Sequence, residues 1–125
     1  MAPKILVVED NDQNRALLRD VLEYYGYAVI EAADGAEGLA RAREHLPDLI
    51  LLDIQMPVMN GFAALHALRD DPVTRGSRVI ALTSFAMKGD REKIMTAGFH
   101  GYVAKPINTR ELPDLVREFL KSTAG

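Results

Sequence analysis

The segment Leu49-Ile50-Leu51-Leu52-Asp53 joins four consecutive apolar residues to a carboxylate. A continuous apolar run of this length predicts a strand that is buried on both faces, as in a parallel sheet. Two other runs follow the same pattern, because Lys4–Val8 leads into Glu9-Asp10 and Gly101–Ala104 leads into Lys105-Pro106. Charged groups at buried strand ends are costly to desolvate unless they meet one another or a metal ion. We therefore expect these side chains to converge in the crevice at the carboxyl ends of the strands.

The apolar pattern of the whole chain alternates between strand and helix periods and predicts five strand–helix units. This alternation implies an α/β fold, with a parallel sheet covered by helices on both faces. Five strands in 125 residues suit the flavodoxin-like (βα)5 architecture with strand order 2-1-3-4-5. That order would place the first and third strands side by side, so that Glu9, Asp10 and Asp53 share one crevice. The pattern alone does not prove this order.

Capping residues set the predicted boundaries of several elements. Asp12 is expected to cap the first helix, which stops near Gly26. Asp34, with Glu37 three residues on, is typical of a capping box at the start of the second helix. The sequence further predicts strands at residues 28–30 and 78–82 and helices at residues 34–45, 62–69 and 90–97.

Prolines mark the less regular places in this pattern. Pro57 and Asn60-Gly61 predict a loop after the central strand. Pro113 leaves two starts open for the last helix. The helix could be capped at Asn108 or Thr109, with the proline one turn inside it, or it could begin near Pro113, since proline is tolerated at the first helical position.

Length and composition predict a single domain over residues 1–125, with no output domain. The fractions of hydrophobic residues (48%) and charged residues (26%) are ordinary for a globular protein. A net charge of -3 without a Lys/Arg cluster argues against nucleic-acid binding. The chain has no cysteine, so it has no disulfide and no sulfur metal site, which weakly favours the cytoplasm. It shows neither a signal-peptide pattern nor an apolar stretch that would span a membrane.

The residues expected in the crevice have the chemistry of phosphoryl transfer. Glu9, Asp10 and Asp53 supply only oxygen ligands, which suits Mg²⁺. Lys105 places a compact positive charge where it can meet an anionic oxygen, and Thr83 offers a hydroxyl donor at the end of a strand. Catalysis of this kind rests on positioning and on neutralising charge. Asp53 would be the nucleophile, because an aspartate can carry a phosphoryl group as an acyl phosphate.

Five fragments, in order and at characteristic spacing over nearly the whole chain, resemble the receiver domain of two-component response regulators. The fragments are Leu6-Val7-Val8-Glu9-Asp10-Asn11, Leu51-Leu52-Asp53-Ile54-Gln55-Met56-Pro57, Asn60-Gly61, Ala81-Leu82-Thr83 and Tyr102-Val103-Ala104-Lys105-Pro106. Within that family, two segments are most similar to DivK-type single-domain regulators, with a receiver module of a hybrid histidine kinase as the alternative: Ser84-Phe85-Ala86-Met87-Lys88-Gly89-Asp90 and Lys105-Pro106-Ile107-Asn108-Thr109. Ser84 departs from the alanine or glycine that is more usual after the threonine, but it is small enough to leave the site open.

The resemblance implies a role for each residue around Asp53, which would be the phosphoacceptor. Asp10 would bind Mg²⁺ directly, Glu9 through water and Gln55 through its backbone carbonyl, and Mn²⁺ would be a substitute ion. Lys105 would pair with Asp53 and later with a phosphoryl oxygen.

The resemblance also implies a switch. Thr83 and Tyr102 match the pair of side chains that move on phosphorylation, and the Lys105-Pro106 peptide bond would be cis, which is rare enough to be a selected feature. The phosphoryl group would come from a phosphohistidine on a histidine kinase or a histidine phosphotransfer protein. The output would be binding to one of these proteins or to an adaptor. We expect a cytoplasmic monomer, with a dimer as the alternative. It would be a signalling switch, catalysing only its own phosphotransfer and slow dephosphorylation.

Three rival functions fit the residues less well. A phosphatase of the aspartyl-phosphate type would carry a second aspartate where this chain has Gln55, and its cap domain would not fit in 125 residues. A nucleotide or flavin carrier would need a glycine-rich loop after the first strand, where this chain is acidic. A docking module that never takes phosphate would tend to lack an acid or the lysine, and here Glu9, Asp10, Asp53 and Lys105 are all present.

Overall fold

A sheet of five parallel strands forms the centre of the protein. We describe it from a computed structural model, which covers residues 2–56, 59–84 and 87–121. The strands lie in the order β2-β1-β3-β4-β5, so the predicted order 2-1-3-4-5 is confirmed. Their bounds are β1 Lys4–Val8, β2 Ala28–Ala32, β3 Leu49–Asp53, β4 Val79–Thr83 and β5 Gly101–Ala104.

Within the residues that the structure describes, five helices cover the two faces of this sheet. They are α1 Asp12–Tyr24, α2 Gly35–His45, α3 Gly61–Asp70, α4 Lys88–Ala97 and α5 Leu112–Lys121. Helices α1 and α5 pack on one face, and α2, α3 and α4 pack on the other. The predicted flavodoxin-like (βα)5 fold is therefore confirmed. In the described part of the chain, no helix is both long and apolar enough to cross a membrane.

The continuous apolar runs of β1 and β3 are explained by burial on both faces, but the same prediction was wrong for β5, an edge strand in which Tyr102 is half-buried and Ala104 is exposed. Along β3, Leu49 and Leu51 pack towards α1 and α5, whereas Ile50 and Leu52 pack towards α2, α3 and α4. All four side chains are buried. Since successive residues of a strand point to opposite faces, a strand covered on both sides needs an apolar residue at every position.

The starts of the first three helices are set by asparagine and aspartate caps. Asp34 caps α2 as predicted, and its side chain accepts a hydrogen bond from the backbone N–H of Glu37 at 2.8 Å. The prediction that Asp12 caps α1 was wrong, because Asn11 is the cap and Asp12 is the first helical residue. Asparagine and aspartate both cap helices well, so residue type alone does not decide which of two neighbouring residues is the cap. Asn60 caps α3.

Other boundaries differ from the prediction by one or two residues. Strand β2 continues to Ala32, because Val8 pairs with Ala32 at the end of the β1–β2 ladder. Strand β4 is shifted by one residue and includes Thr83, which pairs with Ala104. Helix α4 begins at Lys88 rather than at residue 90. Pro57 of the predicted loop lies outside the described residues.

The last helix resolves the choice that Pro113 left open. Helix α5 begins at Leu112, so Pro113 is its second residue, close to the start that the second alternative predicted. A proline in the first turn removes an N–H group that has no partner within the helix. Asn108 instead forms the turn before the helix, where its side chain accepts hydrogen bonds from the N–H groups of Arg110 and Glu111.

Candidate functional site

The three acidic side chains converge at the carboxyl ends of β1 and β3. These strands are adjacent and in register, with Val8 paired to Leu52, so the residues that follow lie side by side. Carboxylate oxygens of Glu9, Asp10 and Asp53 all lie within 4.8 Å of one another. Glu9 and Asp53 are buried, whereas Asp10 is exposed. We call these three residues the acidic cluster. Two of its carboxylates are therefore buried and the third faces solvent.

Lys105 inserts its ammonium group between the two buried carboxylates. Its Nζ lies 2.9 Å from Asp53 Oδ2 and 3.0 Å from Glu9 Oε1. The backbone of Lys105 extends the β4–β5 ladder by donating its N–H to the Thr83 carbonyl at 2.8 Å. The peptide bond from Lys105 to Pro106 is cis. The chain thus brings one lysine into contact with two acids from two other strands.

Burial and hydrogen bonding move the pKa values of these groups apart. Burial raises the pKa of Glu9 to about 7, and its hydrogen bond to Asp53 adds to the rise. Burial also acts to raise the pKa of Asp53, but hydrogen bonds from Glu9, Lys105 and the N–H of Gln55 outweigh it and lower this pKa below its ordinary value. Burial acts to lower the pKa of Lys105, yet its bonds to the two carboxylates raise it. Asp53 is therefore ionised at neutral pH, beside a charged lysine.

Glu9 has a further partner that the sequence analysis did not identify. The side-chain amide of Asn14 donates a hydrogen bond from Nδ2 to Glu9 Oε1 at 2.9 Å. The guanidinium of Arg15 donates to the backbone carbonyl of Glu9 at 2.8 Å. This contact could have been predicted from the position of Asn14 in the first turn of α1, since α1 comes shortly after the strand end that carries Glu9.

Gly61 allows the start of α3 to approach the backbone that follows Asp53. A Cβ atom at position 61 would lie 2.5 Å from the Cα of Ile54 and 2.8 Å from the carbonyl oxygen of Asp53. The N–H of Gly61 donates to the carbonyl of Ile54 at 3.3 Å. Asn60-Gly61 were predicted to be turn residues, but Gly61 is also needed because no side chain fits against this loop.

Gln55 contacts Asp53 directly, whereas Thr83 and Tyr102 lie on the next two strands of the sheet, β4 and β5. The N–H of Gln55 donates to Asp53 Oδ1 at 2.8 Å, and the side-chain Oε1 of Gln55 accepts a bond from the N–H of Ser84 at 2.8 Å. Thr83 is buried at the end of β4. Tyr102 is half-buried on β5, where it pairs with Ala81, two residues before Thr83. Gln55 and Thr83 therefore lie at the same end of the sheet as Asp53, whereas Tyr102 is the second residue of β5 and lies further from that end.

The donor atoms of the acidic cluster fit a hard divalent cation. Three carboxylates contribute oxygen atoms, and Asp10 is open to solvent, so a cation could keep part of its water shell. Mg²⁺ prefers oxygen ligands and keeps several waters, which matches this donor set better than it would match zinc, whose protein ligands are mostly nitrogen and sulfur. The arrangement could therefore hold Mg²⁺ beside an ionised aspartate and a lysine.

Comparison with known proteins gives a consistent result. The chain matches the response regulator receiver domain family over residues 5–117. It is 43% identical over 120 residues to the polar-differentiation response regulators DivK of Brucella anthropi and Brucella ovis, covering 96% of this chain and 98% of each relative.

Similar solved structures include the chemotaxis protein CheY4 of Vibrio cholerae, with a TM-score of 0.89, 30% identity, and coverage of 95% of this chain and 99% of that one. They also include the receiver domain of a sensor histidine kinase from Pseudomonas aeruginosa, solved with a magnesium ion coordinated in the active site cleft. This receiver domain aligns with a TM-score of 0.87 and 35% identity, and the match covers 97% of this chain and 99% of the receiver domain's chain.

Proposed function

Because this chain belongs to the response regulator receiver domain family, we propose that it is a phosphorylation switch in which Asp53 accepts a phosphoryl group. The observation that carries the proposal is the environment of Asp53. This carboxylate is buried, ionised and bonded to the ammonium of Lys105, within a cluster that opens to solvent at Asp10. A pKa below the ordinary value keeps the nucleophile deprotonated at neutral pH, and a fixed positive charge beside it is suited to a transferring phosphoryl group.

In the proposed reaction, an oxygen of Asp53 forms a bond to phosphorus while the P–N bond of a phosphohistidine on a partner protein breaks. The imidazole leaves with the electron pair of that bond and takes up a proton. Lys105, which pairs with Asp53 Oδ2 before the reaction, then pairs with a phosphoryl oxygen. Thr83, at the end of the neighbouring strand β4, would donate its hydroxyl to another phosphoryl oxygen.

We propose Mg²⁺ as the cofactor, with Mn²⁺ as a substitute. Asp10, Asp53 and the backbone carbonyl of Gln55 would bind the ion, and Glu9 would do so through water. When bound, the ion supplies positive charge that neutralises the carboxylates and the phosphoryl oxygens. The all-oxygen donor set supports this proposal, and so does the magnesium ion in the similar receiver domain from Pseudomonas aeruginosa.

The proposed output is a change in protein binding. Phosphate on Asp53 would draw Thr83 towards it and Tyr102 inwards, and this would alter the surface formed by α4 and β5. The acyl phosphate would act by favouring one of two pre-existing conformations, in proportion to its different contacts in each. The proposed partners are a histidine kinase, a histidine phosphotransfer protein or an adaptor. We propose that the protein binds them as a cytoplasmic monomer. The likeness to DivK response regulators supports a signalling role.

The test uses phosphoramidate, a small donor with the same kind of P–N bond as phosphohistidine. Intact-protein mass spectrometry should show the wild type gaining one phosphoryl group in Mg²⁺ and none in EDTA. Asp53→Asn should gain none while keeping the wild-type circular dichroism spectrum. Asp114→Asn, which changes an exposed carboxylate on α5, is the matched control and should be labelled normally. Labelling of Asp53→Asn at the wild-type rate would show that the nucleophile is another residue.

A further inference from the structure

The side chain of Asn14 contacts the acidic cluster from outside it. Its Nδ2 lies 2.9 Å from Glu9 Oε1, the same oxygen that accepts a hydrogen bond from Lys105 at 3.0 Å. Glu9 is fully buried, so its carboxylate depends on protein donors instead of bulk water. In the described part of the chain, Asn14 and Lys105 are the side chains that donate hydrogen bonds to this carboxylate, and Lys105 is also bonded to Asp53. Asn14 is therefore the donor that Glu9 does not share with the nucleophile.

The backbone that carries Asn14 is held in place close to Glu9. The backbone N–H of Asn14 donates to the side chain of Asn11 at 2.9 Å, in the capped first turn of α1. An asparagine on a capped helical turn reaches Glu9 through a short side chain with two torsions, whereas Lys105 reaches it through a flexible four-carbon stem. The backbone of Glu9 is fixed as well, since its N–H donates to the carbonyl of Ala32 and its carbonyl accepts from Arg15. The orientation of the Glu9 side chain is what Asn14 can control.

We propose that Asn14 is a positioning residue whose side-chain amide holds the Glu9 carboxylate in the orientation that the acidic cluster needs to bind Mg²⁺. The inference rests on the proposed function, because Glu9 matters in this way only if the cluster takes a divalent cation. The proposed function gives no role to Asn14, which is neither an acid of the cluster, nor Lys105, nor one of the pair Thr83 and Tyr102. When Lys105 moves to a phosphoryl oxygen, Asn14 remains as the contact that keeps Glu9 in place.

The test measures Mg²⁺ binding by isothermal titration calorimetry, with Mg²⁺ as the only ligand. Asn14→Leu removes the donor at nearly constant shape and should weaken Mg²⁺ binding about tenfold, which is the lower end of the range for residues that orient metal ligands. Gln13→Leu, a matched change at the exposed neighbouring position of the same turn, should bind Mg²⁺ like the wild type. If Asn14→Leu does not fold, as judged by circular dichroism, Asn14→Ala takes its place.

Testing the same substitution in a Glu9→Gln variant distinguishes positioning of Glu9 from a general structural effect of Asn14. In Glu9→Gln protein, the further change Asn14→Leu should leave Mg²⁺ affinity unchanged, because the carboxylate on which Asn14 acts is gone. An equal tenfold loss in both backgrounds would overturn the inference, and so would wild-type affinity in Asn14→Leu alone. If the wild type itself binds no Mg²⁺, the proposed cofactor is wrong and the inference falls with it. If the wild type binds Mg²⁺ and Asn14→Leu binds it equally well, the inference alone is wrong.

Discussion

Lys105 Nζ lies 2.9 Å from Asp53 Oδ2, although the two residues are 52 positions apart in the sequence. The same ammonium lies 3.0 Å from Glu9 Oε1, so one lysine serves two buried carboxylates. Because the pKa of Glu9 is about 7, its carboxyl group is partly protonated near neutral pH, and this proton offsets negative charge that Lys105 does not balance. Besides Asp10, the metal-free site therefore holds one ionised aspartate, one ammonium and one carboxyl group whose pKa lies near neutral pH.

Removing the Lys105 ammonium should destabilise the metal-free protein. Breaking a buried ion pair by deleting one partner costs about 3–5 kcal/mol, and we expect Lys105→Met to lie near the lower end because Glu9 can take up a proton. Urea unfolding in EDTA measures the loss. Adding Mg²⁺ should restore part of it, since the cation replaces the missing positive charge. Lys93→Met, at an exposed position on α4, is the control. Unchanged stability of Lys105→Met in EDTA would contradict the ion-pair argument.

Burial of Glu9 predicts that metal-free stability changes with pH. Between the ordinary value of 4.5 and about 7, the folded protein binds more protons at Glu9 than the unfolded chain does. The contribution of this group to stability therefore falls as pH rises through that window, by at most about 3–4 kcal/mol at about 1.4 kcal/mol per unit of pKa. Asp53 acts with the opposite sign, but only below its ordinary value of 3.8, outside this window.

The measurement compares wild type with Glu9→Gln by urea unfolding in EDTA at several pH values. His100 contributes in the same range with the opposite sign, because burial and two nearby arginines lower its pKa below 6.5. This contribution is common to both proteins, so the difference between their curves isolates Glu9. We expect the wild type to lose stability relative to Glu9→Gln from pH 4.5 to 7. Parallel curves over this range would show that Glu9 does not retain its proton.

Gly61→Ala should disturb the backbone that carries Asp53. The added Cβ would lie 2.5 Å from the Cα of Ile54, and backbone cannot move aside as a flexible side chain can. We expect a loss of about 1–3 kcal/mol in unfolding free energy, together with slower phosphorylation by phosphoramidate. Gly89→Ala is the control, because nothing lies within 4 Å of a Cβ at this helical position. This change should leave stability unchanged or raise it by up to about 0.5 kcal/mol, because Gly89 lies in the first turn of α4 and not in its interior. Equal effects of the two substitutions would rule out the steric explanation.

Asp10→Ala should raise the melting temperature of the metal-free protein slightly while reducing its stabilisation by Mg²⁺. Asp10 lies within reach of two other carboxylates, and like charges in one crevice repel when no cation is present. The exposed position of Asp10 limits the gain to about 0.5 kcal/mol, since solvent screens the repulsion. Thermal unfolding in EDTA and in Mg²⁺ measures both effects. A lower melting temperature than the wild type in EDTA would contradict the repulsion.

The strand order and the charged ends of the strands could be predicted, whereas some local details could not. Parallel strands buried on both faces, such as β1 and β3, leave a clear apolar signal. Glu9 follows β1, Asp53 ends β3, and Lys105 follows the partly buried edge strand β5. The choice of Asn11 over Asp12 as the helix cap could not be read from composition, because both side chains can accept the hydrogen bond. Gly61 was recognised as a turn residue, but its contact with Ile54 depends on how α3 approaches the loop after β3.

Residue order alone was enough to place Glu9, Asp53 and Lys105 at one edge of a parallel sheet, because alternating strand and helix patterns leave few ways to bury every apolar run. Packing determined the contacts within that edge: the sharing of Lys105 between two acids, the bond from Asn14 to Glu9 and the separation of the two carboxyl pKa values. These properties depend on distances of a few ångströms and on the exclusion of water. Both arise only when side chains from separate strands and helices meet, since desolvation and hydrogen bonding act between groups that the sequence keeps far apart.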